Sequence, residues 1–180
     1  MEWADLRQLV CPPRTLADRI IKAIEYFPCD ILFLHRDAEN QPPDYRRREI
    51  EAALAEVHQS GRELPFICVV PVRMQEAWFL FNEHAIRKAA GNPRSTVRLV
   101  LPRLSSMERS PDPKKILYSI LKTASELRGR RLKKFKPAKC VILVAENIAD
   151  YSPLRRLSAF NRLEADIQVL RNSGILLRNT

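Results

Sequence analysis

The sequence predicts an α/β fold with a helical C-terminal half, from three observations. Two helical patterns alternate with two short apolar runs in the first 81 residues. From residue 82 onward the patterns are mainly helical, and proline and capping residues punctuate the boundaries throughout. Alternating helix and strand in one short stretch is the pattern of a small parallel sheet layered with helices. A length of 180 residues suits one domain, with 1–81 as the α/β core and 82–180 as a mainly helical extension.

In the first element, "RTLADRIIKAIEYF", Leu16, Ile20, Ala23, Ile24 and Phe27 recur on one helical face. Thr15 suits the N-cap, and Asp18, three residues on, completes a capping box. "DILFLHR" is short, continuous and apolar, the character of a buried strand. Asp44 is expected to cap the next helix, "YRRREIEAALAEVHQS". Ile50, Ala53, Leu54 and Val57 form its apolar stripe, and Gly61 ends it. "PFICVVPV" is a second buried strand, bounded by Pro65 and Pro71.

Beyond Val72, "MQEAWFLF" reads as a short helix and Asn82 caps a following one, "EHAIRKAAG". "RSTVRLVLPRLSSMERS" is proline-bounded and irregular. "DPKKILYSILKTASEL" has Asp112 at the N-cap and Pro113 at the first helical position, with Ile116, Ile120, Leu121, Ala124 and Leu127 facing inward. "PAKCVILVAENIA" has the apolar core of a strand but the length and alanine content of a helix, and is read as helix. "SPLRRLSAFNRLEADIQVLRN" reads as one helix, capped by Ser152 with Pro153 next. Leu157, Phe160, Leu163, Ile167 and Leu170 recur along one side of it.

Hydrophobic content of 46% and charged content of 29% are those of an ordinary soluble globular protein. No apolar run approaches the roughly 20 residues of a membrane span, and "MEWADLRQLV" lacks the basic-then-apolar order of a secretory signal. Cys11, Cys29, Cys68 and Cys140 form no C-x-x-C pair, and apolar neighbours such as "FICVV" and "AKCVIL" suggest buried, reduced thiols ahead of a zinc site. A cytoplasmic location with no membrane partner is therefore expected. The net charge of +10, from 31 Lys and Arg against 21 Asp and Glu, favours a polyanionic partner, nucleic acid above all. There is no glycine-rich phosphate loop and no nucleophile motif, which disfavours a nucleotidase or a serine or cysteine hydrolase.

Against that basic background, Asp37 and Glu39 follow the first strand at i and i+2. Functional groups of parallel α/β sheets gather beyond the carboxyl ends of strands. In extended backbone, side chains at i and i+2 point the same way, so the pair suits Mg²⁺, which takes one or two carboxylates plus water and phosphate oxygens. The same residues also suit the start of a solvated loop. Glu76 follows the second strand among Met74, Ala77, Trp78 and Phe79, an environment that buries part of its carboxylate. Its partner is then a metal, or a basic residue such as Arg73.

"LHRDAEN", "VVPVRMQEAWFLF", "DPKKIL" and "SPLRRLSAFNRLEADI" together resemble the bacterial domain-of-unknown-function family 4276 over nearly the whole chain. That family is similar to the TOPRIM fold of topoisomerases, primases and the nucleases linked to overcoming lysogenization defect. The resemblance implies a TOPRIM-like core in which Asp37 matches the first aspartate of the D-x-D pair, Glu39 stands in the second position, and Glu76 is the family's own acidic residue. It further implies a defence-associated phosphodiester-cleaving enzyme using Mg²⁺ or Mn²⁺, with Asp37, Glu39 and Glu76 as metal ligands and catalytic residues, and an ATPase subunit as partner. The pattern departs at its front: no strand–Glu–Gly turn precedes "LHRDAE". Either the chain begins late relative to the family or that glutamate is lost. Both cases imply little cleavage by residues 1–180 alone.

"RGRRLKKFK" carries Arg128, Arg130, Arg131, Lys133, Lys134 and Lys136 around one aromatic, Phe135. Such a cluster neutralises phosphates without reading sequence, and Phe135 offers a stacking surface. The alternative is a solvated loop between helices. Two functions are thus expected: a Mg²⁺-dependent nuclease, or a non-catalytic nucleic-acid-binding or interaction subunit working with a partner ATPase.

Overall fold

The computed structural model describes residues 4–6 and 9–174. It is a mixed α/β structure with a two-stranded parallel sheet, and its chain divides into two compact units. One contains the residues up to Arg36, then Gln41–Val70, and the segment from Arg162 on. The other contains Asp37–Asn40 and Pro71–Asn161.

The first unit is built from α1 (Leu16–Tyr26), β1 (Leu32–His35), α2 (Pro43–Gln59) and β2 (Phe66–Val69). α1 starts with the expected capping box: Thr15 Oγ1 accepts from the Asp18 amide at 3.0 Å, and Asp18 Oδ2 accepts from the Thr15 amide at 3.2 Å. Hydrogen bonding to the carboxyl from the Thr15 side chain, and from the Thr15 amide, holds Asp18 below its usual range. α2 starts two residues earlier than the Asp44 cap would require. Pro42 is at the cap and Pro43 in the first helical position, since the fixed φ of proline and its missing N–H suit a helix start. Asp44 sits in the first turn instead. Gly61, with φ 79°, lies just past the Ser60 C-cap of α2, a conformation glycine adopts without strain.

β1 and β2 pair in parallel with Leu32 opposite Phe66 and His35 opposite Val69. Ala17, Ile20, Ala53 and Val57 form a core between α1 and α2, and Leu32, Leu34 and Leu54 pack against it. β1 is less buried than its continuous apolar sequence predicts. None of its residues is fully buried, and Phe33 is 43% exposed. Its partner β2 buries Ile67, Cys68 and Val69. With two strands among the described residues, each strand keeps an edge.

In the second unit a 3₁₀ turn (Gln75–Phe79) precedes α3 (Glu83–Ala89), α4 (Leu104–Met107), α5 (Pro113–Ser125), α6 (Gly129–Lys134) and α7 (Pro137–Asn147). A second 3₁₀ turn (Ser152–Arg156) then leads into α8 (Ser158–Asn172), which crosses into the first unit at Arg162. Its core holds Trp78, Leu80, Ile86, Leu117, Leu121, Val144 and Leu154. Trp78 meets Phe160 edge to face at 5.4 Å, and Phe160 stacks on Tyr151 at 6.1 Å. Asn82 and Asp112 cap α3 and α5, their side chains accepting from the amides of Ala85 and Lys115. α7 is a helix, as its length and alanine content suggest.

The final helical pattern is divided. The 3₁₀ turn stops at Leu157, whose backbone is extended, and α8 begins at Ser158. Ser152 is not the cap of α8. The Glu108 carboxylate, fifty residues upstream, accepts from Ser158 N, Ser158 Oγ and Ala159 N at 3.3, 3.1 and 3.2 Å. A negative charge there satisfies amides that have no partner within the helix.

Of the four cysteines, Cys68 in β2 and Cys140 in α7 are buried, while Cys11 and Cys29 are exposed. The latter two lie in connecting segments outside any helix or strand, where apolar neighbours in sequence enforce no burial. Among the described residues, no helix is long and apolar enough to cross a membrane.

Candidate nucleic-acid interface and acidic cluster

Asp37, Glu39 and Glu76 all belong to the second unit, on two segments that run alongside each other. Ala38 N donates to Pro71 O at 2.9 Å and Glu39 N to Arg73 O at 3.2 Å. The half-buried Asp37 carboxylate accepts from the Gln75 amide at 3.1 Å, one residue before Glu76. Asp37 thus anchors the entry to the 3₁₀ turn that carries Glu76.

The alignment expected of Asp37 and Glu39 depended on extended backbone, and the chain turns at Glu39. Its φ is 54°, in the left-handed region, and its side chain is exposed. The turn is fastened by Arg73, whose Nη1 donates to Asn40 Oδ1 at 2.6 Å. Arg73 is the counter-ion that the sequence offered to Glu76, yet it serves Asn40. Glu76 is half-buried, as the apolar neighbours in its segment suggest. Among the described residues, no three His, Cys, Asp or Glu side chains gather closely enough to hold a metal ion. The donor set that the resemblance implies for Mg²⁺ or Mn²⁺ is therefore not assembled as a three-ligand group among the described residues.

The basic segment has more order than a loop. Gly129–Lys134 form α6, a turn and a half of helix after Arg128, and Pro137 starts α7 directly behind Lys136. Arg128, Arg130, Arg131, Lys133, Lys134 and Lys136 are all exposed. None of the six forms a salt bridge among the described residues. Phe135 and Leu132 are half-buried, fixing the segment to the unit while its charges face water. Leu132 and Arg128 line a cleft of about 310 Å³ together with Val97, Lys122, Thr123, Glu126 and Leu127.

Sequence reading missed two features. The αL turn at Glu39 has no local signal beyond Asn40, and Glu108 acts across fifty residues. Comparison with protein-family models, with curated proteins and with solved structures finds no match to this chain.

Proposed function

We propose that this protein binds nucleic acid through the phosphate backbone, without sequence preference, and that Arg128–Lys136 is its main contact. The observation that carries this reading is the segment itself, with six Lys and Arg side chains in nine residues, all exposed. Phosphate neutralisation needs charge and access and no side chain placed against a base edge. Six neutralised phosphates give a slope of about −5 in log K against log salt on duplex DNA. The test is fluorescence anisotropy with unrelated DNA and RNA sequences across a salt series. A variant with Arg130, Arg131, Lys133 and Lys134 changed to Glu should weaken binding to every sequence alike and flatten the slope. Parent-like binding by that variant would reduce the segment to a solvated connection.

A second reading, cleavage of phosphodiesters by a TOPRIM-like core, is favoured by one observation: Asp37 is hydrogen-bonded to the residue next to Glu76. Asp37, Glu39 and Glu76 would then act with Mg²⁺ or Mn²⁺, and an ATPase subunit would be the expected partner. Its test is nicking of supercoiled plasmid with Mn²⁺, comparing the chain with Asp37→Asn and Glu76→Gln. The geometry favours weak or absent nicking. Robust cleavage, abolished by both substitutions, would make this the first reading.

A further inference from the structure

α5 is sharply two-sided. Leu117, Ile120, Leu121 and Ala124 are buried on one side. The opposite side, with Lys114, Lys115, Tyr118, Ser119 and Lys122, lines a cleft of about 500 Å³. Lysines on the outer face of an amphipathic helix are ordinary. Two further features set this face apart. Tyr118 lies between Lys114 and Lys122 at i, i+4 and i+8, one row along the helix, with the Lys114 ammonium 6.0 Å from the centre of its ring. Lys122 also lines the neighbouring cleft that contains Arg128 and Leu132, so the face adjoins the basic segment; the one carboxylate in that cleft, Glu126, accepts from Asn92 Nδ2 at 2.7 Å. The one acidic residue lining the larger cleft, Asp112, already accepts from the Lys115 amide as the cap of α5.

We propose that this face of α5 is a second contact for the same nucleic acid, and that the stretch it holds is single-stranded. This rests on the reading of Arg128–Lys136 as the main contact. Lys114 and Lys122 stand about 12 Å apart along the axis, far enough to meet phosphates on either side of one nucleotide. The base between them stacks on Tyr118. Stacking demands an unpaired base, because in a duplex both faces of each base are covered by neighbours. Every base has a π-face, so the contact adds affinity without sequence preference. Charge complementarity selects the occupant: three lysines and an aromatic ring suit a polyanion carrying flat rings.

The experiment uses the full chain and anisotropy with a fluorescein-labelled poly-dT oligonucleotide and with a duplex of equal length. Tyr118→Leu should weaken binding to the single strand by about fivefold or more, and leave the duplex within twofold. Tyr118→Phe should restore the single-strand affinity, which a loss of fold at this position would not allow. Lys114→Gln with Lys122→Gln should lower the single-strand salt slope by about 1.4. Unchanged single-strand binding by Tyr118→Leu, with binding still lost in the Arg130, Arg131, Lys133 and Lys134 variant, overturns this inference and leaves the main contact standing. Equal losses on both probes overturn the single-strand assignment. Absence of binding by the parent overturns both.

Discussion

Replacing Asp37 separates a structural role from a chemical one. Its carboxylate accepts the Gln75 amide at 3.1 Å and so joins residues 37–40 to the 3₁₀ turn. A hydrogen bond to a charged acceptor contributes about 1.5–3 kcal/mol when buried. Asp37 is only half-buried, and water replaces part of what is lost, so Asp37→Ala should cost about 1–1.5 kcal/mol. For a chain of this size that is a fall of about 2–6 °C in Tm, followed by circular dichroism at pH 7. Asp37→Asn keeps an acceptor oxygen at the same place and gives up only the charge, so it should lose less than half as much. The order parent, Asn, Ala is the signature of an anchoring side chain. Equal Tm for parent and Ala, or equal loss for Asn and Ala, would refute the assignment of Asp37 as a hydrogen-bonded anchor. Asp37→Asn also makes the nicking assay interpretable, because it removes the carboxylate charge that the second reading requires at a smaller cost in stability than Asp37→Ala.

Glu108→Ala should lower stability by about 1–2 kcal/mol through loss of the cap on α8, and Glu108→Gln by less, as measured by urea unfolding. No difference between Glu108→Ala and the parent would mean that water satisfies the Ser158 and Ala159 amides equally well. Native protein should expose two thiols to a disulfide reagent, Cys11 and Cys29, and four after denaturation. Burial pushes the Cys68 and Cys140 thiols above their ordinary range and shields both. Reaction of all four at one rate in the native state would contradict their burial.

Much of the fold was legible because its signals are local. The Thr15–Asp18 capping box, the Asp112-Pro113 start of α5 and the Asn82 cap each need only neighbouring residues, and each forms in the structure. The parallel pairing followed from helix alternating with strand. What was not legible depends on partners remote in sequence. The division at Leu157 comes with a cap supplied by Glu108, and how far β1 is buried depends on what packs over it and not on its own continuous apolar run. Ser152, the expected cap, donates to Asp150 instead, and those two bonds hold the Asp150 carboxyl below its usual range.

The candidate sites divide along the same line, because they demand different things of three dimensions. A metal centre needs particular oxygens within a few ångströms of one point, and a single residue in the left-handed region is enough to separate two that the sequence aligns. Glu39 is such a residue, so its carboxylate lies in solvent while that of Asp37 holds an amide. Phosphate binding asks only that several cations share an accessible surface. Six basic residues within nine positions meet that demand in almost any backbone that leaves them exposed, and α6 does. The electrostatic reading therefore tolerates the differences between sequence expectation and structure, whereas the metal reading is sensitive to each of them. This asymmetry is why the basic segment, and not the acidic cluster, carries the proposed function.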